Sequence, residues 1–349
     1  MSIPLRICVQ KPLPEDLNII QILHDKTQNS EHARAAFFKT KIWKEGSTIR
    51  IKFVDNRKTV EWTNINTLLS SGIPIDPLET IVRTLTPIEA VKKVITERII
   101  PIVGLNIIFV DDGDAEIKVG FNPDTGAWSL IGTDCVKSKE PTTLNLGWLD
   151  VGTIIHEFGH ALGMIHEHQS GIDNKIQWNE DAVYKWGEKT QGWDKTITYD
   201  NIIKKYDATL LNGSKFDSCS VMLYFFPAEL TLNNKGTHQN NRLSSYDVEY
   251  LSKIYPKGKL SPEIFYKNIY KEDLFSNKNC TVYNNQQQTQ IYKYSTEYLY
   301  KIFYILQSYF NYFKTTPVGQ LGIENKILIF IFILSIILLI LLFYRYINT

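Results

Sequence analysis

Cysteine is scarce: four in 349 residues is too few for a disulfide-built scaffold. An excess of charge of either sign is also missing, with 38 Lys and Arg against 37 Asp and Glu and a formal net charge of +1. A general polyanion binder carries a large positive surplus, so no nucleic acid is expected as a partner. With 44% hydrophobic and 21% charged residues, the composition excludes a disordered chain and allows a sizeable core. No long-period internal repeat is visible. The N-terminus, MSIPLRICVQKPLPEDLN, places prolines and acids where a signal peptide needs an unbroken apolar stretch.

One long hydrophobic run stands apart. Ile327 to Tyr344 reads ILIFIFILSIILLILLFY, with Ser335 its only small polar interruption and Lys326 and Arg345 at its borders. A helix of this length crosses the roughly 30 Å hydrocarbon core of a bilayer, and lipid admits only structures that satisfy their own backbone. The run is expected to be a single transmembrane helix, with residues 345–349 as a short tail. Without a signal stretch, the chain reads as tail-anchored with its bulk in the cytosol. Lys314 and Lys326 before the run and Arg345 after it agree with that side.

Residues 257–326 differ again. They hold 10 of the 19 tyrosines and nine lysines against five acids, and read as a basic, tyrosine-rich stalk. The tract Asn284 to Gln290 is low-complexity. Thr296 to Phe313 is too aromatic for a free linker and suits either an interfacial helix or one packed on the main domain.

After an N-terminal segment, 1–40, residues 41–256 read as one mixed α and β domain. Ile49, Ile51 and Phe53 alternate with polar residues, as in a half-buried strand. Thr86-Pro87-Ile88-Glu89 is a helix start with a capping box, followed by the apolar stripe Ile88, Val91, Val94 and Ile95, and Pro101 helps to end that helix. Strand-like runs at Leu105–Val110 and Ala115–Phe121 follow. Strand, helix, strand, strand implies a twisted mixed sheet backed by a helix.

The chemistry is concentrated in one segment. Four of the seven histidines fall within H-E-F-G-H-A-L-G-M-I-H-E-H, from His156 to His168. On a helix, His156 and His160 lie one turn apart and reach one ion together. Glu157, beside His156, is placed to take a proton from an attacking water without being a ligand. Gly163 lets the chain leave the helix in a conformation closed to other residues and fold back to bring in His166. Three neutral imidazoles with one open position describe a catalytic zinc site holding one ion. His24, His32 and His238 read as surface histidines, and His168 as a neighbour of the ligands or an exposed residue, not a fourth ligand.

This motif resembles the metzincin zinc endopeptidases, and Glu167 after the third histidine resembles their astacin branch. Four further stretches are similar to that family: Gly152 to Ile155, Ser220-Val221-Met222-Leu223-Tyr224, Gly126 to Gly132, and Leu243 to Asp247 with Ile254-Tyr255. The resemblance implies an α+β astacin-like fold, in which Met222 packs beneath the metal site. It further implies that Tyr224 is a displaceable zinc ligand, and that Trp128 and Ser129 lie by the strand lining the substrate cleft. Trp128 is equally readable as a core residue.

The chain also departs from the family. Cys135 and Cys219 do not stand at its disulfide positions, which fits a reducing compartment. Gln169-Ser170-Gly171 stands where an arginine follows the motif, and Glu167, which pairs with the new N-terminal amine in mature members, is left without an evident partner. Cys8 reads as an N-terminal cysteine with a minor claim to a zinc-masking role.

The expected function is a membrane-anchored zinc endopeptidase acting on a protein or peptide, with Glu157 as general base and Tyr224 supporting the oxyanion. The alternatives are a non-catalytic, membrane-tethered interaction module that keeps the metal site, and a zinc hydrolase for a non-peptide amide.

Overall fold

The structure, a computed structural model, describes residues 9–10, 37–70, 74–174, 176–208, 211–212, 216–237 and 240–274. The expected transmembrane run 327–344, the low-complexity tract, the aromatic stretch 296–313, Cys8, His24, His32 and His238 lie outside the described residues. Among the described residues, no helix is long and apolar enough to cross a membrane.

The strands are β1 (Val9–Gln10), β2 (Phe37–Phe38), β3 (Thr48–Phe53), β4 (Asn106–Phe109), β5 (Ile117–Gly120), β6 (Trp128–Ser129), β7 (Leu144–Asn145) and β8 (Leu211–Asn212). Six of them form a sheet in the order β1-β6-β7-β5-β3-β4, and β2 pairs with β8 separately. The larger sheet is mixed: β3 runs parallel to both β4 and β5, β5 to β7, and β6 is antiparallel to β7. The expected strands at 49–53, 105–110 and 115–121 are therefore its three longest members, side by side in one half of the sheet.

The helices are α1 (Ile65–Ser70), α2 (Glu79–Val82), α3 (Pro87–Val94), α4 (Asp134–Lys137), α5 (Val151–Ala161), α6 (Glu180–Gln191), α7 (Lys195–Thr198), α8 (Ser245–Ile254) and α9 (Pro262–Tyr270). Parallel strands need a crossover, and α3 lies within the one between β3 and β4. It begins as its sequence requires, with Thr86 and Glu89 forming a reciprocal capping box and Pro87 in the first turn. Its Val91 and Val94 pack with Ile49, Ile51, Val119 and Leu144 of the sheet and with Ile154, Ile155 and Phe158 of α5 in one core. A π-turn, Ile95–Ile99, extends α3 before Pro101.

Every residue of α5 is buried, so this helix runs through the core and not over its surface. Asp150 caps it by accepting from Thr153 N at 2.7 Å, and Glu79 accepts from Val151 N at 2.8 Å. Two carboxylates thus meet the positive end of the helix dipole.

The same core continues past Pro256 into the first part of the sequence-defined stalk. Phe265, Tyr266 and Tyr270 of α9 belong to it. Tyr270 donates to Asp76 Oδ2 at 3.2 Å, and Asp76 is paired with the buried Arg98. Arg242 stands 4.7 Å from the Tyr270 ring centroid and pairs with Glu272 at 2.9 Å.

Candidate metal centre and active site

Helix α5 carries His156, Glu157 and His160, and the chain turns back directly after it. Gly163 has φ of +99°, in the left-handed region that a residue with a Cβ adopts only under strain. The buried carbonyls left without a donor inside this helix end are taken up from outside it. Trp43 Nε1 donates to Ala161 O at 2.8 Å and Tyr255 Oη to Leu162 O at 2.5 Å. The reversal delivers His166, and among the described residues the ligand atoms of His156, His160 and His166 lie within 4.8 Å of one another.

Each of the three rings is oriented through its Nδ1. His156 Nδ1 donates to Val221 O at 2.8 Å, His160 Nδ1 to Met164 O at 2.8 Å, and His166 Nδ1 to Gln169 Oε1 at 2.9 Å. Burial, helped by mutual repulsion, holds His160 and His166 well below the ordinary imidazole range, and burial lowers His156 to about 4. The rings are therefore neutral, and with Nδ1 protonated each Nε2 presents a lone pair.

His160 Nε2 and His166 Nε2 face each other at 3.0 Å, and His156 Nε2 is buried with no hydrogen-bond partner among the described residues. Converging lone pairs in a desolvated site repel one another unless a cation draws them together. Three imidazoles of this kind fit a catalytic zinc ion.

Glu157 is completely buried. The Tyr224 hydroxyl meets His166 Nε2, and its ring lies 5.3 Å from that of His156 at an interplanar angle of 20°. Met222 sits under α5, and its carbonyl accepts from Glu167 N at 3.0 Å. The Ser220–Tyr224 loop is suspended from α8: Asp247 accepts from Ser220 Oγ at 2.7 Å and from Val221 N at 2.9 Å, while also capping α8. The family-like Leu243–Asp247 stretch thus fixes the loop whose Val221 carbonyl orients His156.

His168 is buried, with its ring 5.1 Å from that of His166 at 18°, and its Nε2 donates to Asn201 O at 3.0 Å. It backs a ligand without joining the triad. Glu167 accepts from the main chain, from Asp217 N at 2.7 Å, and burial with Asp217 nearby pushes its carboxyl well up. Trp128 and Ser129 are both buried, and the Trp128 indole donates to Thr125 Oγ1 at 3.3 Å. Their strand is not the sheet edge: β1 pairs with it in parallel, Val9 opposite Trp128 and Gln10 opposite Ser129. Sequence reasoning missed Gln169, noted only as the place of a missing arginine. It also missed Asp150, although an Asp directly before an apolar helical run is a capping signal.

Comparison with known proteins agrees with this geometry. The model of the peptidase family described as Astacin matches residues 106–256. Astacin-like metalloprotease toxin 1 of Loxosceles intermedia is 28% identical over 149 residues, covering 39% of this chain and 53% of the toxin. Zinc metalloproteinase nas-13 of Caenorhabditis elegans is 32% identical over 117 residues, 33% of this chain and 23% of that protein. Astacin-like metalloprotease toxin 4 of Loxosceles laeta is 32% identical over 90 residues, 25% of this chain and 77% of the toxin. The chain spans about half the length of toxin 1 and less than a quarter of nas-13. With the histidine triad, the returning Gly163 turn and the Met222 loop assembled around α5, the chain belongs to the astacin family.

Proposed function

We propose that the chain is a zinc-dependent endopeptidase held at a membrane by residues 327–344. The observation that carries the catalytic half is the convergence of three neutral, Nδ1-anchored imidazoles from the helix that also bears Glu157. Zinc held by His156, His160 and His166 would polarise the scissile carbonyl and acidify a water. Glu157 takes the proton of the attacking water and returns it to the leaving amine. Tyr224 donates a hydrogen bond to the carbonyl oxygen as it becomes negative. Gly163 and Met222 shape the site, and an extended peptide lies along the strand of Trp128 and Ser129 in place of β1. The 18-residue apolar run supports the membrane half.

In the full chain, Glu157→Gln is expected to keep one zinc and lose cleavage of an unfolded protein by about a hundredfold to ten-thousandfold. A variant as active as its parent removes Glu157 from the chemistry. A zinc-loaded parent inactive on every peptide favours the non-catalytic module instead.

The cytosol-facing orientation meets one opposing observation, the disulfide-bonded state of Cys219, because the cytosol keeps thiols reduced. The sequon Asn212-Gly213-Ser214 tests the side. A glycosidase-sensitive mobility shift of the full chain assigns the domain to the secretory lumen, and an unshifted chain with reduced Cys219 assigns it to the cytosol.

A further inference from the structure

Two of the three histidines of the metal centre are oriented by main-chain carbonyls, Val221 O and Met164 O, which only accept hydrogen bonds. The third, His166, faces a side-chain amide, which presents either an acceptor or a donor depending on which way it is turned. What decides the orientation lies on the far side of that amide. Gln169 Nε2 is 2.7 Å from Asp200 O and 3.3 Å from Lys204 O. Both of those atoms are acceptors, so the NH2 end must face them, and Oε1 must face His166. An acceptor at His166 Nδ1 requires the proton to sit there, which leaves the Nε2 lone pair toward the other two ligands.

The carbonyls are available because of a local irregularity in the chain. Helix α7 runs into a π-turn, Tyr199–Ile203, that stops at Lys204, and the last carbonyls of a helix have no donor within it. Asn201 O of this turn receives His168 Nε2, and Asp200 O receives Gln169. Gln169 is itself fully buried, so bulk water does not satisfy its amide in another orientation.

We propose that Gln169 is a positioning residue of the metal centre: clamped by the carbonyls at the end of the 199–204 turn, its amide holds His166 in the tautomer that offers Nε2 to the metal. The inference rests on the reading of the three histidines as zinc ligands. It makes metal affinity depend on a turn more than 30 residues away in sequence that contributes no ligand itself.

The test is zinc affinity of the full chain, measured by competition with a chelator of known affinity. Gln169→Met keeps the length of the side chain and removes both halves of the amide, and it is expected to weaken zinc binding by about tenfold to a hundredfold. Gln169→Glu keeps an acceptor for His166 but, as a carboxylate, has no donor for Asp200 O and Lys204 O, so it is expected to bind zinc less tightly than the parent and more tightly than the Met variant. The visible spectrum of the Co2+-loaded Met variant should differ from that of the parent, which a change in stability alone would not produce. Should the Met variant fail to fold, histidine 15N NMR of the zinc-loaded parent decides: His166 is expected to be protonated at Nδ1 and metal-bound at Nε2. Parental zinc affinity in the Met variant, equal loss in both variants, or an unprotonated His166 Nδ1 overturns the proposal. A parent that binds no zinc overturns the metal-centre reading itself, and is distinguished by the parent alone.

Discussion

Met222 reaches so far under Gly159 that a Cβ on that glycine would stand 2.6 Å from the methionine sulfur. The methionine is 1% exposed, so its sulfur can give way only into a packed core. In an ordinary helix, Gly to Ala gains about 1 kcal/mol of propensity. Overpacking here costs about 1–3 kcal/mol, so the contact outweighs the propensity. Gly159→Ala is expected to lower both the melting temperature and the zinc affinity, and thermal melts with and without zinc check it. A variant more stable than the parent would show that Met222 is free to move.

The zinc site was legible because its chemistry is local. His156, Glu157, His160, Gly163 and His166 lie within eleven residues, and helix periodicity with one required turn assembles them. The capping box at Thr86 and the strands around Ile51 and Val119 were legible for the same reason. The supports of the site come from farther away. Val221 O and Asp247 act across loops, and Gln169 reads carbonyls of a π-turn that no periodicity marks. The segment after Pro256 shows a related limit: its lysines and tyrosines read as a stalk, and composition does not reveal that α9 packs into the core and meets Asp76, Arg98 and Arg242.

The Tyr255 hydroxyl joins two parts of the chain, donating to Leu162 O and accepting from Trp43 N at 3.3 Å. Its removal leaves a buried carbonyl and a buried N–H to find other partners. Tyr255→Phe is expected to destabilise the domain by about 1–3 kcal/mol. Because Leu162 precedes the Gly163 reversal, the loss should appear in metal-free and zinc-loaded protein alike. Denaturant titration of both forms measures it, and a change below about 0.5 kcal/mol would mean that the bond adds nothing net.

Asp247 couples the loop below the metal to pH. Burial first, and then the nearby Asp217 carboxylate, pushes its pKa up to about 7 from an ordinary value of 3.8. Between those two values the folded chain holds a proton that the unfolded chain has released. The Asp247 contribution to stability is therefore full below about pH 4, falls as pH rises, and is lost by about pH 7, with a slope approaching about 1.4 kcal/mol per pH unit. Asp247→Asn removes the titration together with some hydrogen bonds, whose loss is a constant offset. The stability of the parent minus that of the variant should fall from about pH 4 to about pH 7, and a flat difference would mean that Asp247 titrates normally.

Strand β6, along which an extended peptide is expected to lie, is covered by β1 at Val9 and Gln10. A peptide that adds to β6 by main-chain hydrogen bonds must first displace this pair. At about 1 kcal/mol for each of the two residue pairs, the pairing is worth about 2 kcal/mol, or roughly thirtyfold in a competing equilibrium. The chemistry at Glu157 lies downstream of that competition. Deleting residues 1–10 is therefore expected to lower KM for an extended peptide by up to about thirtyfold and to leave kcat unchanged. Steady-state kinetics of the parent and truncated chains on one peptide measure both constants. An unchanged KM would place the peptide on another surface, and a fall in kcat would show that the first ten residues support the active site instead of covering its approach.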